Sequence, residues 1–266
     1  MPKFAADLDH LFSDRPLMTR FSAAKSAGFD AVEMRSPYDA AAPDLRYQLV
    51  MNDLFWTGLD APPPNYTGGL PGYAGVAGQE DRFLRDLKRA LRVADVLKSG
   101  FLTLLAGPEA QIGTLIGNLK AACKAHPKAR FMITPEGAGS LLPDLASCAH
   151  VLAEVGGKNL LLAADLRSPL ASGEDPIAWV TPYLPQLGHL WLAGADGHEP
   201  AGESLDLAGL CAHLDAGGYS GYVCANYTPR ETTEGGLAWL RRIIGDAPSE
   251  EPAPKKTRGR PRKAKG

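Results

Sequence analysis

Eight short apolar segments alternate with amphipathic segments along most of the chain, and this alternation constrains the fold more than any other feature. Each amphipathic segment has the length of a helix that carries the chain back across a sheet, so the strands are expected to be parallel. Eight such units in about 245 residues match the size of a closed (β/α)8 barrel, the TIM-barrel architecture. A doubly wound open sheet is the alternative, and the absence of a GxGxxG motif after the first strand disfavours it.

The predicted elements follow one another in strict order. The strands are expected at residues 3–8, 30–34, 55–61, 101–107, 130–136, 159–165, 189–195 and 222–227. The helices are expected at residues 16–27, 44–53, 80–98, 111–125, 143–155, 177–184, 205–216 and 233–244. The segment 62–79 is rich in Pro and Gly and is long for a connection, which predicts a lid or a binding loop.

The charge of the chain is unevenly distributed. The net charge of -2 combines seven basic residues within 255–266 with a remainder of 21 basic and 30 acidic residues, or about -9. From Ala247 onward almost nothing apolar is available for burial, which predicts disorder. The sequence therefore predicts two regions, a barrel over residues 1–246 and a disordered basic tail over residues 247–266.

The cysteines and the N-terminal segment predict a cellular compartment. Cys123, Cys148, Cys211 and Cys224 are widely spaced and form no CxxC pair, as expected for buried, reduced thiols. Residues 1–10 lack the apolar stretch of a secretion signal, and no apolar run approaches the ~20 residues of a membrane span. These features predict a cytoplasmic protein.

Several sequence blocks occur in the same order as in a known family. They include AGFDAVEMRSPYD, GLPGYAGVAGQEDRF, LPQLGHLWLAGADGHEPAGES and GGYSGYVCANYTPRETTEGGLAWL. Over about residues 3–242 the chain resembles the hydroxypyruvate isomerase family of xylose-isomerase-like barrels. The resemblance implies an aldose-ketose type isomerase that moves a proton between adjacent carbons of a small hydroxy-keto acid.

In that family a Glu, Asp, Gln, Glu set surrounds a divalent metal, such as Mg or Mn, at the carboxyl ends of the strands. A hard cation polarises the carbonyl oxygen, and carboxylates remove and return the proton. Asp165 matches the family Asp as a metal ligand, while either Glu136 or Thr134 aligns with the first Glu. Glu136 is accordingly the candidate catalytic residue and second metal ligand.

Two positions of the set depart from the family pattern. Trp191 stands where the family has Gln, and Asn226 stands where it has the second Glu. A Trp offers no lone pair to a metal, and an Asn cannot accept a proton as a base. These departures predict weak or absent metal-dependent isomerisation.

Further polar residues match positions that the family keeps around its pocket. They are Glu33, His189, Glu199 and Glu203. Glu33, His189 and Glu203 are predicted substrate contacts, together with Trp191 and Asn226. The alternatives are that His189 is a hydrogen-bonded core residue, that Trp191 fills the barrel, and that Asp165 caps the following helical turn.

Three functional hypotheses follow. The first is a divergent barrel that binds a small hydroxy-keto acid or sugar-like metabolite without the family reaction. The second is an active isomerase with a rebuilt site that uses Glu136, Asp165 and either Glu203 or Glu33. The third is a non-catalytic interaction protein whose pocket is filled by Trp191.

The tail carries a separate motif. Residues 255–263 read KKTRGRPRK, and this Arg-Gly-Arg-Pro core resembles an AT-hook. A flat, extended strip of this kind fits a narrow minor groove, where Arg258, Arg260 and Arg262 would meet the negative potential of A·T tracts. The prediction is an A·T-rich DNA partner and a nucleoid association, and the alternative is a sequence-independent polyelectrolyte.

Overall fold

The computed structural model describes residues 1–61, 72–200 and 205–245. All its strands are parallel and form one sheet in the order β3-β2-β1-β9-β8-β7-β6-β5-β4. The strands are β1 (Lys3–Asp7), β2 (Ala31–Glu33), β3 (Phe55–Trp56), β4 (Gly58–Asp60), β5 (Phe101–Thr103), β6 (Phe131–Ile133), β7 (Leu160–Asp165), β8 (Leu187–Leu192) and β9 (Tyr222–Ala225).

The sheet closes through Thr57, which separates β3 from β4. The backbone N–H of Thr57 donates to the carbonyl of Val32 at 3.0 Å, and its carbonyl accepts from Phe101 N–H at 3.0 Å. The short strands β3 and β4 are thus two parts of one barrel position, each pairing with a different neighbour. The predicted eight-position TIM barrel is confirmed.

Helices cover the outside of the sheet. They are α1 (Leu17–Ser26), α2 (Ala42–Met51), α3 (Glu80–Leu97), α4 (Ile112–Ala125), α5 (Leu145–Val155), α6 (Arg167–Ser172), α7 (Pro176–Val180), α8 (Leu207–Ala216), α9 (Thr233–Gly236) and α10 (Ala238–Ile244). None of the described helices is long and apolar enough to cross a membrane.

The structure corrects several predicted boundaries. The short helix α6 was not predicted, and the helix expected at 177–184 is α7 followed by a 3-10 segment, Thr181–Gln186. Pro182 and Pro185 explain that change, because proline lacks the N–H that an α-helix requires. The expected strands at 101–107 and 130–136 end early, at Thr103 and Ile133, so Thr134 and Glu136 lie on the following loop.

Two apolar layers stabilise the barrel. A large outer layer packs between the sheet and the helices, and a smaller inner layer fills the barrel itself. In this inner layer, small inward-facing residues leave room for large ones: Ala5, Ala31, Ala163 and Cys224 accompany Phe101, Met132 and Trp191. Alternation of large and small side chains fills such an interior at the density of a protein core.

The four cysteines are buried and form no disulfide with one another. Burial raises the pKa of Cys148 to about 12 and that of Cys211 to about 11. These thiols are therefore protonated at neutral pH and pack as small apolar groups.

Candidate functional site at the mouth of the barrel

A cavity of about 320 Å³ opens at the carboxyl ends of the strands, where barrels of this class carry their sites. Its walls combine two arginines with two carboxylates and one indole ring. The lining residues are Arg35, Leu105, Thr134, Pro135, Glu136, Asp165, Arg167, Trp191 and Asn226. This volume is near the lower end of the range for small-molecule sites, roughly 300–1,000 Å³, so the site suits a small metabolite.

Asp165 ends β7, and Arg167 occupies both oxygens of its carboxylate. Oδ1 accepts the backbone N–H of Arg167, the first residue of α6, at 2.9 Å, while the N-cap position itself is Leu166. Oδ2 accepts from Arg167 Nε at 2.9 Å and from Nη2 at 2.5 Å. Arg167 Nη2 also lies 3.4 Å from Asn226 Oδ1. The guanidinium therefore bridges the two positions that the resemblance assigns to metal and base.

Glu136 is engaged by the backbone of the loop after β5. Its Oε1 accepts from Ala106 N–H at 2.5 Å and its Oε2 accepts from Gly107 N–H at 3.1 Å. Gly107 has a φ of +85°, a left-handed conformation that glycine adopts without strain. Burial raises the pKa of Glu136, and these two amides only partly offset that effect. The carboxylate lines the cavity, but both of its oxygens are occupied by hydrogen bonds to the loop after β5.

Trp191 extends inward from β8 and forms the floor of the cavity. Its indole Nε1–H donates to Glu33 Oε1 at 2.7 Å, and Thr57 Oγ1 donates to Glu33 Oε2 at 2.5 Å. His189 Nε2 lies 3.0 Å from the same Oε2, although out of line for a well-formed hydrogen bond. Burial alone would raise the pKa of Glu33, but His189 and these two hydrogen bonds lower it.

Glu33 and His189 are thus interior residues and do not line the cavity. Both are buried, at 1% and 0% exposure, and the imidazole packs edge-on against the Trp191 indole with ring centroids 5.1 Å apart. His189 therefore lies in the core, but neither of its ring nitrogens forms the hydrogen bond that the core alternative included, within the described residues. We name Glu33, Thr57, His189 and Cys224 the interior cluster.

Arg35 follows β2 and lies over the ring of Trp191, with its Cζ 5.3 Å from the ring centroid. Its Nε approaches Asp60 Oδ2 at 2.9 Å. The contact is poorly aligned, so Arg35 Nε forms no hydrogen bond within the described residues, and Asp60 Oδ1 also forms none there. Burial raises the pKa of Asp60 to about 6, although Arg35 opposes the shift.

Another group of polar side chains surrounds the end of β1. The buried carboxylate of Asp7 accepts from the Asn226 amide through Oδ2 and from Asp9 N–H at 2.8 Å through Oδ1. Its Oδ2 also lies 3.1 Å from His10 Nδ1, and the hydrogen bond to Asp7 raises the pKa of His10. Asn226 is thereby fixed between Asp7 and Arg167, with its amide donor and its carbonyl both engaged.

These contacts do not fit a Mg or Mn ion among Asp165, Glu136, Trp191 and Asn226. The carboxylate of Asp165 binds a guanidinium, that of Glu136 binds two amides, and Trp191 presents an N–H donor directed at Glu33. A hard cation prefers six or more oxygen ligands or waters, and a guanidinium beside it would add repulsion.

Another group of potential ligands lies in the interior cluster. Glu33, His189 and Cys224 place one ligand atom each within 4.8 Å of one another, the one such group within residues 1–61, 72–200 and 205–245. A thiol and an imidazole suit zinc better than Mg or Mn. Burial raises the pKa of the Cys224 thiol well above its usual value, and both Glu33 oxygens already accept hydrogen bonds. This group also does not fit the hard cation that the resemblance implies.

Several residues of the mouth were missed by the sequence analysis. Asp7 and Asp60 end strands, while Arg35 and Arg167 each lie two residues beyond one. Their positions at strand ends are the signal that could have identified them. Glu199 accepts the N–H of Arg230 at 3.0 Å on an exposed rim, and Glu203 lies outside the described residues.

Comparison with known proteins agrees with this architecture. A 2-oxo-tetronate isomerase of Cupriavidus necator is 30% identical over 259 residues, which cover 92% of this chain and 100% of that protein. The hydroxypyruvate isomerase of Escherichia coli is 27% identical and covers 90% of this chain and 98% of its own.

Solved structures show the same fold. The crystal structure of an AP endonuclease, family 2, from Brucella melitensis superposes with a TM-score of 0.83 at 27% identity, covering 91% of this chain and 99% of that one. A D-psicose 3-epimerase shares the fold at a TM-score of 0.70 and 12% identity. The family model described as xylose isomerase-like TIM barrel matches residues 21–243, and the chain belongs to that family.

Proposed function

We propose that this protein binds a small hydroxy- or oxo-acid, or a sugar-like relative of one, at the barrel mouth and does not perform metal-dependent isomerisation. The observation that carries the proposal is the contact of Arg167 with both oxygens of Asp165. The guanidinium occupies the carboxylate that a cation would require. The names of the relatives, hydroxypyruvate isomerase and 2-oxo-tetronate isomerase, support the class of ligand.

The alternative of an active isomerase with a rebuilt site needs a third carboxylate beside Glu136 and Asp165. Glu33 does not supply it, because Glu33 is buried under Trp191 and binds Thr57 and the indole, while the other candidate, Glu203, lies outside the described residues. Loss of a positioned base removes a contribution of typically 10²–10⁴-fold. We therefore favour ligand binding over turnover by the family reaction.

Metal analysis and an isomerase assay on the same preparation test the proposal. Purified protein, supplied with Mg²⁺ or Mn²⁺ and hydroxypyruvate, should retain no stoichiometric metal and turn over far below the usual enzymatic median of ~10 s⁻¹. One metal per chain together with turnover near that median would refute it. An active relative, such as the Escherichia coli hydroxypyruvate isomerase, serves as the positive control for the assay.

Engineered variants separate the obstacles to metal binding. Trp191→Gln with Asn226→Glu supplies the family residue types, but Arg167 still occupies Asp165. We expect Mn²⁺ binding only when Arg167→Ala is added to that pair, measured by calorimetry. Equal Mn²⁺ affinity of the double and triple variants would show that Arg167 is no obstacle.

A second proposed activity concerns residues 247–266, which lie outside the described residues. The RGRP core on a strongly basic tail supports contact with A·T-rich DNA through Arg258, Arg260 and Arg262. Minor-groove recognition predicts preference for A·T over G·C duplex, which a simple polyelectrolyte lacks. A titration with both duplexes tests this activity, as described below.

A further inference from the structure

We propose that Arg35 and Arg167 act as a pair that binds the carboxylate of the ligand across the mouth cavity. This inference rests on the proposed function and names the group of the ligand that the protein recognises. It assigns the positive charge of the site to two guanidinium groups of the chain.

The strand order places the two arginines on opposite walls. Arg35 follows β2 and Arg167 follows β7. Three barrel positions separate these strands on either path around the ring, with β1, β9 and β8 on one side. Both side chains line the same cavity, so a small ligand within it can contact both.

Each guanidinium keeps donors for a ligand. Arg167 uses Nε and Nη2 on Asp165, while its Nη1 contacts no acceptor within the described residues. Arg35 approaches Asp60 through Nε at 2.9 Å, in poor alignment, and neither of its Nη groups forms a hydrogen bond among those residues. A carboxylate accepts such N–H groups in charge-assisted hydrogen bonds, the stronger class.

The charges of the walls favour a monoanion. Arg35 is beside Asp60 and Arg167 is beside Asp165, so each positive charge is already partly neutralised. A dianionic phosphate would face those carboxylates with excess negative charge, whereas a carboxylate adds one charge and two acceptor oxygens. The part of the Trp191 indole that lines the cavity is an apolar surface for the carbon atoms of the ligand.

Calorimetric titration of the full-length protein in chelator tests the pair. The probes are hydroxypyruvate, dihydroxyacetone, in which a hydroxymethyl group replaces the carboxylate, and inorganic phosphate. We expect hydroxypyruvate to bind at least about tenfold more tightly than either other probe, because charged hydrogen bonds contribute about this much or more. Equal affinity for dihydroxyacetone would overturn the carboxylate pair and leave the proposed ligand class standing.

Substitutions test whether the two arginines cause the preference for hydroxypyruvate. Arg35→Gln and Arg167→Gln should each weaken hydroxypyruvate binding about tenfold to hundredfold while leaving dihydroxyacetone unchanged. Arg85→Gln on the exposed face of α3 is the matched control and should change neither. Arg35→Lys and Arg167→Lys retain the charge without the planar fork, and these variants should bind hydroxypyruvate with intermediate affinity. They replace any Gln variant that fails to fold.

The outcomes distinguish the two proposals. Hydroxypyruvate affinity unchanged in both Gln variants would overturn the arginine pair. Tight binding of Mn²⁺ by the wild-type protein, with hydroxypyruvate turnover that disappears in chelator, would overturn the proposed function itself.

Discussion

The two sides of Trp191 differ in how the protein uses charge. The interior cluster beneath it is closed, with Glu33 at 1% and His189 at 0% exposure. The mouth above it is open, and the side chains of Asp165 and Arg167 there are 27% and 44% exposed. A buried carboxylate needs several partners to remain ionised, while an exposed one is stabilised by water. We therefore expect the interior cluster to contribute more to stability than the mouth, where the proposed ligand would bind.

The largest expected effect is on the interior. Glu33→Ala removes the acceptor of the Trp191 indole and the Thr57 hydroxyl and leaves His189 without its carboxylate. We expect the free energy of unfolding to fall by about 3–5 kcal/mol. Urea denaturation measures it, and Arg167→Gln is the comparison variant from the mouth. Breaking its partly exposed ion pair should cost no more than about 1 kcal/mol.

Equal destabilisation by these two variants would break the comparison. A loss below about 1 kcal/mol for Glu33→Ala would have the same meaning. Either result would show that the interior cluster contributes no more to stability than the open mouth.

A smaller effect is expected at the boundary itself. Trp191→Phe keeps most of the ring but removes the N–H that donates to Glu33 Oε1 at 2.7 Å. One unsatisfied buried acceptor costs about 1–3 kcal/mol, which thermal and urea unfolding will detect. Trp239→Phe is a useful control, because its Nε1 donates instead to the neutral hydroxyl of Tyr227 at 3.0 Å. The control should cost less than Trp191→Phe, and the reverse order would contradict the role of Glu33.

The mouth is expected to respond to pH through Asp60. Burial raises its pKa to about 6 against the opposing charge of Arg35, with Glu33 raising it further and Thr103 lowering it. As the pH falls from 7.5 to 5, Asp60 gains a proton and no longer neutralises Arg35. Hydroxypyruvate remains ionised over this range, because its carboxyl group lies beside a carbonyl and is more acidic than an ordinary carboxyl with a pKa of ~4.

Hydroxypyruvate should therefore bind roughly threefold to tenfold more tightly at the lower pH. Calorimetry at several pH values measures this change. The variant Asp60→Asn should lose the pH dependence between 5 and 7.5, and persistence of that dependence would point to another titrating group.

The smallest effect on the barrel is expected from the tail. Truncation at residue 246 should leave the unfolding temperature and hydroxypyruvate affinity unchanged, because residues 247–266 offer almost nothing apolar for burial. The same truncation should abolish binding to A·T-rich duplex. For the full chain, a plot of the logarithm of the binding constant against the logarithm of the salt concentration should have a slope of about -4 to -6. Arg258→Ala with Arg260→Ala should remove the preference for A·T over G·C sites, whereas Lys255→Ala should weaken both equally. Equal binding of both duplexes by the full chain would reduce the tail to a polyelectrolyte.

The order of strands and helices could be predicted from the sequence because apolar periodicity is local. The parallel barrel followed from eight repeats of one pattern, and Asp165 was placed at a strand end correctly. The break at Thr57 was not predictable in this way, since it depends on hydrogen bonds to Val32 and Phe101 from two different neighbours.

The features of the site likewise separate into those that follow from the local sequence and those that follow from tertiary contacts. The sequence by itself determined the fold, the position of Asp165 and the loss of two family residue types at Trp191 and Asn226, because each depends on residue identity and local pattern. Only the tertiary structure decided that Trp191 covers Glu33, that Arg167 occupies Asp165, and that Arg35 lies opposite Arg167. Those relations join residues far apart in the chain or depend on where a flexible side chain points, and closure of the barrel determines both.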